Sequence, residues 1–113
     1  MKGVRARESD TIRITMRFEW DTEKDAGNQR KHGGIAFSSA AQVFDDPNVR
    51  FRKDRVVESE QRWHAIGAVG KAVLLVVHAY REENKNGEEI IRIISARQAN
   101  QRERRIYIQQ AGE

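Results

Sequence analysis

The chain contains no cysteine, which excludes disulfides, thiolate zinc sites and cysteine nucleophiles and fits a reducing, cytosolic setting. Long apolar runs are missing too. None approaches the roughly 20 residues that cross a bilayer, and the longest, Ala72 to Val77, has the length of one buried strand. The opening residues hold no apolar core of the secretory kind, so a cytoplasmic protein away from the membrane is expected. Repeats, low-complexity segments and internal linkers are absent, and 113 residues leave room for one domain with one hydrophobic core.

Charge is what the chain has in quantity. Charged residues make up 34% and hydrophobic residues 38%, the balance of a heavily charged surface over a foldable core. Lys and Arg number 21 against 17 Asp and Glu, a formal net charge of +4. That excess points to an anionic partner, nucleic acid first, because phosphate neutralisation dominates such affinity. The plain alternative is a basic surface that only keeps the protein soluble. Many of the cations are arginine, whose planar fork holds phosphate at two points.

Residues 1–15 are polar and charge-mixed and read as a peripheral N-terminal extension, leaving a single domain over 16–110. Met16-Arg17-Phe18-Glu19-Trp20 alternates as a short strand. Asp21 then reads as an N-cap, with Glu23 and Asp25 favourable in the first turn of a helix running to about Lys31 and ending at Gly33. Phe37, Ala40, Ala41 and Phe44 stand at helical spacing, and Asp46 before Pro47, the chain's one proline, stops that second helix. The period then changes to two. Val49 to Arg52, Arg62 to Gly67, Ala72 to Tyr80 and Glu89 to Ser95 read as strands, with turns near Val69-Gly70 and over Asn84 to Gly87. Short turns between consecutive strands imply antiparallel pairing. Ser95-Ala96-Arg97-Gln98 matches a capping box, which predicts a last helix from Ala96 to about Gln109. The fold class is therefore α+β: an antiparallel four- to five-stranded sheet with two N-terminal helices and one C-terminal helix.

Several strings occur together in one order. They are Phe18-Glu19-Trp20-Asp21, then Lys24, Asn28 and Lys31-His32-Gly33, then Phe37, Ala40, Val43-Phe44 and Asp46. Arg62-Trp63-His64-Ala65-Ile66-Gly67 follows, then Ile91-Arg92-Ile93-Ile94-Ser95-Ala96-Arg97, Glu103-Arg104 and Tyr107. Read together, these strings resemble the BrnT toxin family from about Phe18 to Tyr107. The resemblance implies a RelE-like fold, an endoribonuclease that inhibits translation, and a BrnA-like ribbon-helix-helix antitoxin through which the complex binds operator DNA. Residues 1–15 have no counterpart in it, Gly34 stands where an apolar residue is expected, and His64 stands where variation is expected.

RNA cleavage without a metal needs a base for the 2′-OH proton, cations for the charge growing on phosphorus, and an acid for the leaving 5′-oxygen. His32, His64 and His78 are scattered, with no H-x-x-x-H or paired-carboxylate spacing, so no metal or other cofactor is expected. By the resemblance, an Arg-rich site would carry the chemistry. Arg97, Arg62 and His32 are the catalytic candidates, and Lys31, Arg92, Arg50, Arg52, Arg104 and Tyr107 the RNA- or phosphate-binding ones. Each has a structural reading beside the functional one. His32 and Lys31 can serve as cations at a helix C-terminus, worth roughly 0.3–1 kcal/mol. Arg62, Arg50 and Arg52 can be solvated strand residues. Arg92 is flanked by isoleucines on the opposite face, Tyr107 can pack on the sheet, and Glu103 can pair with Tyr107 along one helix face. Arg97, expected in the first turn of the last helix, would oppose the helix dipole there, which favours a functional reason for its presence. A non-catalytic nucleic-acid- or partner-binding module of the same fold is the competing function.

Overall fold

The computed structural model describes residues 4–8, 13–81 and 88–111. Its elements run β1 (Val4–Glu8), β2 (Arg13–Glu19), α1 (Thr22–Lys31), α2 (Phe37–Ala40) with a 3-10 continuation (Ala41–Asp45), β3 (Arg50–Val57), β4 (Glu60–Val69), β5 (Ala72–Arg81), β6 (Glu88–Gln98) and α3 (Gln101–Ala111). The polar turn expected at Asn84 to Gly87 falls outside the described residues.

The six described strands form one sheet in the order β1-β2-β6-β5-β4-β3. Antiparallel pairing joins all neighbours except β2 and β6, which run parallel with Phe18 opposite Ile91. The expected antiparallel sheet is thus corrected to a mixed one. Short turns impose antiparallel pairing only on consecutive strands, whereas β2 reaches β6 after two helices and three further strands. Strand pairing also starts ahead of Met16, since β2 begins at Arg13 and pairs with β1.

Local chemistry explains the helix ends. The Asp21 carboxylate accepts from the backbone N–H groups of Glu23 and Lys24, and α1 stops at His32, followed by Gly33 and Gly34 at φ +67° and +85°. Those left-handed values explain why a glycine replaces an apolar residue at position 34. The last helix starts later than expected. Strand β6 keeps pairing with β5 as far as Gln98 opposite Leu74, so Ser95 to Gln98 is strand and not a cap. The capping box is instead Asn100 with Glu103: the Glu103 N–H donates to Asn100 Oδ1 at 2.8 Å and the Asn100 N–H to Glu103 Oε1 at 2.9 Å.

Two cores sandwich the sheet. On one face Phe18, Phe37, Ala40, Val43, Phe44, Leu74, Val76, Ile91 and Ile93 bury the α2 and 3-10 segment. A Cβ on Gly67 would meet Val43 Cγ1 at 2.8 Å, so this close approach requires glycine. On the other face Ile106 and Tyr107 of α3 pack on Ile66, Val73, Leu75 and Ala99. Helix α1 lies against β6 beyond the end of the β2 pairing. There the buried Asn28 amide donates to the Ala96 carbonyl at 2.8 Å and to the Ile35 carbonyl at 3.1 Å, while its oxygen accepts from the Ala96 N–H at 3.1 Å.

Replacing Asn28 by Ala strands both backbone groups of Ala96 in a buried setting. At about 1–3 kcal/mol for each unsatisfied group, the variant is expected to lose about 2–4 kcal/mol, measured by chemical denaturation. A loss under about 0.5 kcal/mol, the range of ordinary surface changes, would show that the amide does not hold the strand edge.

Candidate active site

Strand register decides which side chains share a face, because directly paired residues point the same way. Arg50 pairs with Ile66 and Arg52 with His64 across β3 and β4, and Arg62 lies two residues before His64. Across β5 and β6, Leu75 pairs with Arg97 and Ala79 with Arg92, an irregularity at Val77/His78 keeping both arginines on this side. Five arginines expected from the sequence therefore meet on the α3 face of the sheet: Arg50, Arg52, Arg62, Arg92 and Arg97.

Carboxylates order this face without neutralising it. Glu60 Oε1 accepts from Arg92 Nη2 at 2.6 Å and lies 3.6 Å from Arg62 Nε. The hydrogen bond from Arg92 holds the Glu60 carboxyl below its ordinary range. Glu103 accepts from both terminal nitrogens of Arg97, at 2.8 and 2.9 Å, a two-point pair. That pair keeps the Glu103 carboxyl low and the Arg97 guanidinium high. Asp54 Oδ2 lies 3.2 Å from His64 Nε2, and Arg52 Nη2 lies 3.4 Å from His64 Nδ1. Among the described residues the face thus sets these five guanidinium groups against these three carboxylates, a surplus of positive charge. In addition, the Nε atoms of Arg50, Arg52 and Arg62 are buried without a hydrogen-bond partner among the described residues. Unpaired buried donors are costly, and of the three only Arg62 Nε has a carboxylate nearby, Glu60 Oε1.

The remaining expected residues fall elsewhere. Lys31 and His32 line a groove between α1 and β6 with Lys24, Arg30, Ile94 and Ser95, and none of the five arginines contributes to it. Arg104 is exposed on α3. Tyr107 packs on the sheet, and its hydroxyl donates to Asp46 Oδ2 at 2.6 Å, burial and that bond pushing the hydroxyl up to about 12. For Asp46, burial alone would raise the carboxyl, but bonds from Tyr107, Ala68 and Asn48 outweigh it and hold it low. Arg97 is on strand β6, not in the first turn of a helix as expected, so no helix dipole opposes its charge there. Glu103 reaches back to Arg97 and Asn100, and not along the helix to Tyr107. Among the described residues, no three His, Cys, Asp or Glu side chains cluster as metal ligands, and no helix is long and apolar enough to cross a membrane.

Glu60, Asp54 and His64 are the members of this face that sequence reasoning missed. Alternation does place His64 and Glu60 beside Arg62, at spacings of two. Asp54 needed the irregular register after Lys53, which no local signal announces. His78, on the opposite face, is fully buried against Phe44 and Tyr80, and burial pushes its imidazole down to about 4.

Comparison with known proteins adds one match: a family model described as ribonuclease toxin, BrnT, of type II toxin-antitoxin system covers residues 20–103. No curated protein sequence matches the chain.

Because Arg97 is paired with a buried carboxylate, its removal is expected to destabilise the fold, the reverse of what a helix-start position implied. Charged hydrogen bonds are worth about 1.5–3 kcal/mol, and partial exposure reduces this, so Arg97→Ala should cost about 1–2 kcal/mol. That corresponds to a fall of roughly 5–10 °C in melting temperature. A variant melting at or above wild type would show that the pair contributes nothing.

Proposed function

The chain belongs to the BrnT family of ribonuclease toxins of type II toxin–antitoxin systems, and from that premise we propose that the five-arginine face of the sheet is where RNA is bound and cut. The cleavage is endonucleolytic, needs no metal and stops translation in the cytoplasm. One observation carries this reading: Arg50, Arg52, Arg62, Arg92 and Arg97 converge on one face, and among the described residues the Nε donors of Arg50 and Arg52 have no hydrogen-bond partner. Arginine suits the task because its charge is permanent and its donors are fixed in a plane. Charge growing on the phosphorane then meets preorganised guanidinium groups, the effect that in other enzymes makes one donor worth about 10²–10³ in rate.

The mixed sheet flanked by two N-terminal helical segments and one C-terminal helix supports assignment to the RelE-like folds. The partner that a type II system supplies is proposed to be a BrnA-like ribbon-helix-helix antitoxin. Acidic side chains of that antitoxin would cover the arginine face, since opposite charge speeds capture, and the antitoxin would carry the complex to operator DNA. Lys31 and His32, in their own groove, and Arg104, exposed on α3, extend the contact to longer RNA. Tyr107 acts as scaffold, its ring packed and its hydroxyl held by Asp46. Residues 1–15 are proposed to be peripheral to this activity.

Purified protein is expected to cleave single-stranded RNA equally well with and without EDTA. Arg50→Ala and Arg62→Ala should weaken binding, each lowering the salt slope on single strands by about 0.7. Cleavage lost to chelator and restored by magnesium would overturn the metal-free mechanism. Arginine-dependent binding without any cleavage would favour the non-catalytic binding module.

A further inference from the structure

Resting on the ribonuclease reading of this face, we propose that His64 is the general base of the cleavage step and that Asp54 positions its ring. His64 sits on β4 directly opposite Arg52 and two residues from Arg62, inside the arginine cluster. Its two ring nitrogens have different partners. Arginine can only donate hydrogen bonds, so the Nδ1 that faces Arg52 Nη2 at 3.4 Å is the lone-pair nitrogen. Nε2 therefore carries the proton and donates it to Asp54 Oδ2 at 3.2 Å. A carboxylate fixing one nitrogen of a neutral imidazole, with the other turned toward the reacting group, is the arrangement that makes histidine an effective base.

The neighbours leave this ring as the proton acceptor. From β3 it is faced by Arg52 and Asp54; on β4 itself Glu60 and Arg62 share its face; from β5 the paired residue is the uncharged Val77; β6 contributes Arg92 and Arg97 and α3 contributes Glu103. His78 acts only from the far side of the sheet, where its ring is held by the Val76 carbonyl and the Tyr80 hydroxyl. Glu60 and Glu103 are committed to Arg92 and Arg97, which hold their carboxyls low and make them poor proton acceptors. His32 lines the groove beside α1, where none of the five arginines reaches.

In the proposed step an RNA phosphate draws the Arg52 guanidinium onto its oxygens and frees Nδ1. Nδ1 takes the proton of the adjacent 2′-OH while the bond from O2′ to phosphorus forms and the bond from phosphorus to O5′ breaks. O5′ takes a proton from water, and the imidazolium returns its own proton to solvent. The products are a 2′,3′-cyclic phosphate and a 5′-hydroxyl, with no oxidant or reductant involved.

The test uses the full chain and a short RNA with one scissile bond, in single-turnover cleavage, beside binding to the same oligonucleotide lacking the scissile 2′-OH. His64→Ala is expected to slow cleavage by about 10²–10⁴ while affinity for the uncleavable RNA changes less than about threefold. Added imidazole should restore part of the rate to His64→Ala, which a purely structural loss would not allow. His64→Gln, whose thermal melt reports folding separately, should be as slow as His64→Ala. Asp54→Asn is expected to slow the wild-type background but not the His64→Ala background, because a positioning residue has nothing left to act through. Wild type cleaving while both His64 variants cleave within about threefold of it overturns the base assignment and leaves the ribonuclease reading standing. Equal effects of Asp54→Asn in both backgrounds overturn its positioning role. Absence of cleavage by wild type overturns both readings together.

Discussion

The placement of β6 is the constraint on which the basic face depends, and a single side-chain amide completes its edge. Strand β2 accompanies β6 only from Glu88 to Arg92, after which the chain has turned into α1. Past that point the outer edge of β6 would be left with unpaired backbone groups inside the protein, a situation folded proteins avoid. The Asn28 carboxamide takes over as a substitute strand, offering one donor and one acceptor to the two backbone groups of Ala96. Its remaining donor reaches the Ile35 carbonyl, and the Asp25 carboxylate accepts from the Phe37 N–H at 2.9 Å. Thus the bonds that finish the strand also tie α1 to the start of α2. Arg92 and Arg97 ride on the strand so fixed.

From that fixed strand the charges on the face are arranged by register and by helix capping. Arg97 and Glu103 meet because β6 ends one residue before Ala99, whose N–H bonds to the Val73 carbonyl, and Asn100 then caps α3. Glu103 therefore has two duties: it closes the helix start and anchors an arginine. Glu60 does the corresponding work at the other end, between Arg62 and Arg92. Pairs of this kind hold long side chains in one orientation and contribute only modestly to stability. In the proposed function their value lies in preorganisation, since guanidinium groups already in place need little reordering when an anion arrives. Arg50 and Arg52, by contrast, have Nε donors without partners among the described residues.

Much of this was legible in the sequence, and what was not has identifiable causes. Asp21 and the Gly33-Gly34 stop bracket α1 through side-chain and backbone preferences that act within a few residues. The alternation around Arg62 and Arg92 placed those residues opposite their apolar neighbours, as the sheet does. The end of β6 is ambiguous in the sequence because Ser95 to Gln98 and Asn100 to Glu103 both fit a capping pattern, and pairing with β5, a long-range effect, selects the second. The β3–β4 turn was hidden for another reason: Glu58 and Ser59 carry it at φ 50° and 68°, with neither glycine nor asparagine to mark it. The parallel β2–β6 pairing and the Asp54–His64 contact likewise depend on register across distant strands. Distribution of the candidates between the arginine face and the α1 groove follows from the same cause, because His32 and Arg62 carry no local information about which of them β6 separates.

In the proposed function RNA is engaged by the arginine face and not by the groove beside α1. This is tested most directly by following arginine Nε–H resonances by NMR while the protein is titrated with single-stranded RNA lacking the scissile 2′-OH. The expected result is that the Arg50, Arg52 and Arg62 signals shift together and saturate at one RNA concentration, as phosphate meets their guanidinium groups. Shifts confined to the Lys31 and His32 region, with those three arginine signals unmoved, would contradict it.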